Sequence, residues 1–552
     1  MKRIKAFWAF ILAGIMLFPA ACKEGENASI SEAAERVNCE ISGLWFDASE
    51  IKDVGRYASE VSDGAASHDG PLKNGMGISP YYTLTIGGEK VPVYSTRCAK
   101  SVHSFAWADI KKTDESKNFE VEVKLTAREQ SSVFSEWEPS VTILPQKRGV
   151  EAEISEKEVT ARLSDFGSFT FSFNKKGDEA LTLYLAEYEE FSVPEGWEIQ
   201  RLEAKKHTMA ETTFEAENTV YYFEKGRHFI DSVSIPSNAE VYLEAGAYLE
   251  VYPDGDGEYS PVFRTSAGTG DVKLCGRGVV DFSACMGGDA KKKGAFDFQG
   301  TKNIKVDGVI SINSNTWTLC FTDCENVAVS RCMLFGYRTY SDGIMLSDCR
   351  DSEVTACFVR TGDDAMETKS TSAQGYTDNV TFRDNDCWTD KGLGYGVVWE
   401  TNHDVKNVTF IDCSVGFAQS DWDERIGALA IQLGDHFNKV ENIRFENIEI
   451  YRCYSPAVIN CELKQQGKLI DEVYIKNVHC TYATGYLLRL AEVDLQNPGA
   501  RFGTFYLDNV SKNGETLTEE NRSDDYMLKF IIGTSGWTEE KYIKINTLSK
   551  KG

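Results

Sequence analysis

Between Tyr81 and Glu187 apolar and polar residues exchange places at nearly every step. "YYTLTIGG", "FEVEVKLT", "VTARLS", "FGSFTFSF" and "LTLYLAE" alternate with period two, separated by charged or glycine-containing turns. Side chains on a strand point to its two faces in turn, so this is the pattern of half-buried strands. Many short strands without helical periodicity predict an antiparallel β-sandwich over residues 39–205. No reactive constellation stands out there, and the stretch reads as a support or carbohydrate-contacting module.

From about Phe214 the texture changes. A short motif recurs as "KNIKV" at Asn303, "ENVAV" at Asn326, "SEVTA" at Glu353 and "DNVTF" at Asn379. It continues as "KNVTF" at Asn407, "ENIRF" at Asn442 and "DEVYI" at Glu472. The spacing runs from 23 residues (Asn303 to Asn326) to 35 (Asn407 to Asn442), the range of a solenoid repeat. Each unit is a short β run plus turns, too short for a strand and a helix. One unit cannot bury its apolar face alone, so the units must stack. The expected fold of residues 215–552 is a right-handed parallel β-helix, with an amide ladder where Asn recurs. Its first coils are read in "VYYFEKGRHFIDSVSIPSNAEVYLEAGAYLEV", with Pro236 and Gly246 at corners.

The N-terminus follows a different rule. Lys2, Arg3 and Lys5 precede an apolar run from Ala6 to Phe18, and Ala20-Ala21-Cys22 follows. Residues 1–22 therefore read as an export signal. Cys22 resembles the lipidation site of bacterial lipoproteins, with Pro19 where Leu is usual; simple cleavage near Ala21 is the alternative. Residues 23–38 are polar and read as a tether. The expected location is the periplasm or the cell surface, through an outer-membrane lipid anchor.

Composition narrows the partners. The 552 residues are 42% hydrophobic, enough for two or three packed domains, and 12% aromatic, which excludes a disordered chain. A net charge of −26, from 85 acidic and 59 basic residues, argues against nucleic acid. Eleven of the 14 cysteines after Cys22 fall between Cys275 and Cys461, which leaves stacked thiols and disulfides both open. None of the seven histidines lies in the aspartate motifs described next. No His/Cys metal spacing occurs, and neither metal nor cofactor is expected.

The candidate chemistry lies in "YSDG" and "GDDAMETKS". Asp342 and Asp363 are 21 residues apart, close to one coil, which places them on adjacent rungs. Gly362 permits a bend that turns Asp363 and Asp364 to the same side. Three carboxylates in one cleft raise one another's pKa, giving an acid beside ionised bases. Inverting glycoside hydrolysis needs that combination. With 85 acidic residues an Asp-Asp pair alone means little, and exposed turn aspartates explain it equally well.

These segments resemble the clan that joins glycoside hydrolase family 28, the polygalacturonases, with family 49, the dextranases. "YSDG" ends family 28's Asn-Thr-Asp-Gly motif, "GDDAMETKS" reproduces its Gly-Asp-Asp frame, and "NSNTWTLCFTDCENVAV" is similar to its Trp-Thr-Leu segment. The resemblance covers roughly Val220 to Tyr482. It implies a pectin-lyase-like solenoid, with Asp363 as general acid and Asp342 and Asp364 activating water. A sandwich ahead of the β-helix looks more like family 49. Leu393 stands where polygalacturonases carry His. Their Arg-Ile-Lys becomes either Arg425-Ile426-Gly427 or Ala430-Ile431-Gln432.

The expectation is thus an inverting hydrolase of a neutral polysaccharide or oligosaccharide. A polygalacturonase, which Arg425 favours, is the alternative, followed by a polysaccharide lyase or a non-catalytic glycan-binding β-helix. For substrate contacts, Trp317, Tyr395, Trp399 and Trp422 are stacking candidates. Lys369, Glu400, Arg425, Gln432, Asp435 and His436 are polar candidates. Packing or solvated turns explain each of these residues equally well.

Overall fold

A computed structural model describes residues 39–546, apart from 47–74, 99–101, 115–117, 130, 132–139, 174–178, 205–213, 252–260, 286–293, 373–374, 419–425, 435–437, 462–467, 493–499 and 534–535. The signal, the tether, Cys22, Trp422, Arg425, Asp435 and His436 fall outside the described residues.

The N-terminal half forms a seven-stranded and a five-stranded sheet. The alternating segments become Tyr82–Ile86, Val121–Ala127, Glu158–Leu163, Gly167–Phe173 and Leu181–Glu187. Their inward residues, among them Leu84, Val123, Val159, Phe169, Phe171 and Leu183, share one core between the two sheets. Pairing is antiparallel throughout except that Leu181–Glu187 runs parallel to Val102–Lys112. Alternation reports which face is buried and is blind to strand direction, so this pair was not legible.

The remainder is a right-handed parallel β-helix of a 23-stranded and an 11-stranded sheet. It begins earlier than expected: Glu198–Leu202 already pairs parallel to Thr219–Phe223, inside the stretch assigned to the sandwich. Four of the five residues of Glu198–Leu202 are exposed, so no hydrophobic pattern marked it. Successive coils stack identical residue types inward, as in Phe382, Phe410 and Phe445, whose rings lie 4.8 and 5.1 Å apart. Cys324, Cys332, Cys349, Cys357, Cys387, Cys413, Cys453 and Cys480 line the same core as free thiols. Free thiols pack as small hydrophobes, which resolves the thiol-or-disulfide question for the described cysteines.

The amide ladder is present. Asn326 donates to Asn303 at 2.7 Å, Asn379 to Asp351 at 2.6 Å, Asn407 to Asp378 at 2.7 Å and Asn442 to Asn407 at 2.7 Å. Asn303, Asn326, Asn379, Asn407 and Asn442 have φ between 52° and 58°, the left-handed region that Asn tolerates better than other side chains. Two rungs differ from the expectation: Asn407 reaches Asp378 rather than Asn379, and Asp351, not Glu353, takes the ladder position, because Ser352 pairs with Val380 and so sets Asp351 beside Asn379.

The two halves share an apolar interface. Phe105, Trp107 and Tyr184 of the first half pack with Ile310, Ile312, Met333, Phe335 and Phe358 of the β-helix. Among the described residues no helix is long and apolar enough to cross a membrane.

Candidate active site

The aspartates lie along one edge of the 11-stranded sheet, where the chain enters Ile344–Ser347 and Met366–Ser370. These strands pair with Ile344 opposite Met366. Asp342 and Asp364 each stand two residues earlier, so they stack directly across one coil step. The Gly343 amide donates to the Asp364 carbonyl at 2.9 Å. Asp363 and Asp364 are not on a flat strand. They occupy the turn between Phe358–Thr361 and Met366–Ser370, which frees their side chains from strict alternation.

The turn is tightly specified. The hydroxyls of Thr361 and Thr389 donate to the Asp363 carbonyl at 2.7 and 2.8 Å. A Cβ on Gly362 would come within 2.5 Å of the Tyr337 carbonyl, and one on Gly392 within 2.3 Å of Asp363 backbone. Both glycines are therefore required by close approach. The Leu393 amide donates to Asp364 Oδ1 at 3.0 Å, and the Tyr340 amide to Asp363 Oδ2 at 3.1 Å.

A residue the sequence reading passed over completes the cluster. Glu367 is fully buried, and its carboxylate lies with those of Asp342 and Asp364, oxygens within 4.8 Å of one another. Inward Met366 and Thr368 leave Glu367 and Lys369 facing outward on the same strand, so alternation in "METKS" was the signal that could have found it. Lys369 Nζ lies 3.0 Å from Glu367, 3.0 Å from Glu400 and 3.5 Å from Asp342. Three carboxylates at this spacing could hold a cation, but the Lys369 ammonium already supplies positive charge to two of them.

Burial dominates the electrostatics. It pushes Asp342 and Glu367 well above the usual carboxylate range, with Lys369 opposing. Asp364 is pushed up to about 7, first by burial and then by Asp363. Asp363 is also raised by burial, against the Tyr340 amide, and is the most open of the three aspartates. Burial works against the Lys369 charge, but Glu367, Asp342 and Glu400 outweigh it and hold its pKa well above the ordinary lysine value. The cluster therefore holds its protons more tightly than free carboxyls do, as a crowded buried set must.

Of the substrate candidates, Lys369, Glu400 and Trp399 lie at this cluster or on the strand beside it. A register shift opposite Thr368 to Ser370 bulges the chain at Trp399, whose φ is 22°, and Glu400 reaches Lys369 from there. Three expectations need correcting. Tyr395 is buried inside the coil, its hydroxyl donating to the Asn385 and Ser414 carbonyls, so it cannot stack on a sugar. Trp317 is 4% exposed, packed on Cys320 and Met345 with Lys369 Nζ 4.3 Å from its ring centroid. It supports Lys369 rather than a ligand. Gln432 is 3% exposed and offers no accessible amide. Leu393, in the place expected for His, packs with Val398, Ala430 and Trp399 into an apolar patch on the flank of Asp364.

Several known proteins resemble this chain. The sequence pattern described as "Glycosyl hydrolases family 28" matches residues 262–516, which contain every site residue above. A polygalacturonase from Juniperus ashei is 23% identical over 288 residues, 46% of this chain and 54% of its own length. Polygalacturonase-2 from Solanum lycopersicum is 25% identical over 203 residues, 34% of this chain and 42% of its own. The chain thus spans about half the length of the curated relatives it matches. Dex49A from Penicillium minioluteum shares the fold, with a TM-score of 0.58 and 15% identity over 93% of this chain and 100% of that one. Residues 262–516 thus resemble glycoside hydrolase family 28, and the chain as a whole shares the β-helix fold of Dex49A.

Proposed function

We propose that the protein is an exported glycosidase that hydrolyses a neutral glycan with inversion of the anomeric carbon. The observation that carries the reading is the stack of Asp342 on Asp364 with the more open Asp363 next to them, all raised by burial above the usual carboxylate range. Asp363, partly open to solvent, protonates the departing glycosidic oxygen. Asp342 and Asp364 take a proton from the water that attacks the opposite face of the sugar. The Lys369 ammonium, 3.5 Å from Asp342, opposes the burial that protonates it and so favours the ionised base before the proton is taken.

Two features support a neutral sugar. Lys369 already lies 3.0 Å from Glu367, 3.0 Å from Glu400 and 3.5 Å from Asp342, so pairing it with a uronate would displace existing carboxyl contacts. Leu393, packed on Val398 and Ala430, puts a buried leucine rather than a cation beside Asp364. A polygalacturonate substrate is the second reading, favoured by the curated relatives, which are polygalacturonases. Reducing-end release from dextran, galactan, arabinan and polygalacturonate decides between them. Turnover of a neutral glycan alone is expected; turnover of polygalacturonate alone would reverse the assignment. Export through residues 1–22 and anchoring at Cys22 belong to the same proposal.

A further inference from the structure

Tyr340 opens the "YSDG" segment with φ at 62°, the left-handed region that a bulky side chain avoids. Elsewhere along the β-helix this conformation falls mostly to Asn and Asp, as at Asn303, Asp323, Asp348, Asn379 and Asn407. The Tyr340 amide does a defined job, donating to Asp363 Oδ2 at 3.1 Å. That job belongs to the backbone, and Asn at the same position would perform it with less strain. Packing does not account for the ring either, since Tyr340 is 42% exposed and pairs with no aromatic ring among the described residues. A strained residue kept without a packing return, one hydrogen bond from a reactive carboxyl, points to a ligand.

We propose that the Tyr340 ring is the platform on which a sugar ring stacks next to Asp363, making Tyr340 a substrate-positioning residue of this cleft. The proposal rests on the glycosidase reading and gives that site its stacking contact. An aromatic face suits the apolar C–H face of a pyranose, and its position fixes the ring whose glycosidic oxygen Asp363 addresses. The sequence reading placed this role on Trp317, Tyr395, Trp399 and Trp422; the fold buries Trp317 and Tyr395 and leaves Trp399 half-buried on the neighbouring strand, while Trp422 lies outside the described residues.

The test uses the full mature chain with Tyr340→Asn and Tyr340→Phe, melted and assayed on whichever glycan of the panel above the parent protein cleaves. Binding is measured by calorimetry with the same glycan, with Asp363→Asn added to each protein to stop turnover. Tyr340→Asn relieves the backbone and is expected to raise Tm, yet to weaken binding and raise KM by about tenfold. The fall in kcat should be smaller. Tyr340→Phe keeps the ring and should bind within about twofold of the parent. A Tyr340→Asn protein that is more stable and binds the glycan unchanged overturns the proposal while leaving the glycosidase reading intact. Parallel losses of kcat and Tm would mean a structural role and also overturn it. A parent protein that neither binds nor cleaves any glycan removes both readings.

Discussion

Asp364 lies buried beneath the cleft with its pKa pushed up to about 7, first by burial and next by Asp363 at its side. An unfolded aspartate titrates near about 4. Between these values the folded state holds more protons than the unfolded one, so this group makes stability fall as pH rises. The penalty is absent below about pH 4 and complete above about pH 7. Asp364→Asn removes it while Oδ1 can still accept from Leu393. We expect the variant to melt above the parent at about pH 8, by up to a few kcal/mol, with the gap closing toward about pH 4. Activity should be lost, and melts across pH combined with rate assays read both effects. Glu367 makes a different prediction. A protonated Glu and a Gln present the same charge, so Glu367→Gln should keep kcat within about tenfold and leave both limbs of the pH–rate profile in place. Limbs displaced to lower pH would show that Glu367 is ionised in the working protein.

The turn that carries Asp363 and Asp364 is also held from outside the β-helix. His103, on a strand of the N-terminal half, accepts a hydrogen bond from Arg360 Nη1 at 2.7 Å and meets the Thr182 hydroxyl at 2.8 Å. Burial first, and Arg360 second, keep this imidazole neutral by lowering its pKa well below the ordinary value. Arg360 in turn holds Asp390 at 3.0 Å, next to Thr389, whose hydroxyl fixes the Asp363 carbonyl. His103→Leu leaves Arg360 and Thr182 short of a partner, which should cost about 1–3 kcal/mol and lower kcat more than it changes KM. Thermal melts and steady-state kinetics check it. None of this coupling was legible, because contacts between residues about 250 positions apart leave no local pattern. The strands and the solenoid were legible, since period-two alternation and a repeated Asn motif are local. The aspartates were legible through the Gly-Asp-Asp frame. Glu367 was marked only by the alternation of "METKS", and Tyr340 only as the residue standing where the Asn-Thr-Asp-Gly motif carries Asn; both gain meaning once neighbouring coils are stacked. Trp317 and Tyr395 misled for the converse reason: aromatic identity does not report which face a strand turns to the core.

At the scale of the molecule, the β-helix supplies a rigid sheet edge, and the N-terminal half braces it through a shared apolar interface. With a net charge of −26, the chain suits a neutral glycan better than a polyanion. The proposed anchor has its own test: Cys22→Ser should move the protein from the membrane fraction to the soluble exported fraction, and loss of palmitate labelling should accompany it. Retention at the membrane would contradict lipidation there.

The central claim is that Asp363 donates a proton while Asp342 and Asp364 activate the attacking water. Proton NMR of the anomer first released from a cleaved glycan tests it most directly, with Asp363→Asn as the paired sample. The account predicts a first product of inverted configuration and a loss of rate of about a hundredfold or more in the variant. A product of retained configuration, or an Asp363→Asn protein that turns over at the parent rate, would contradict it.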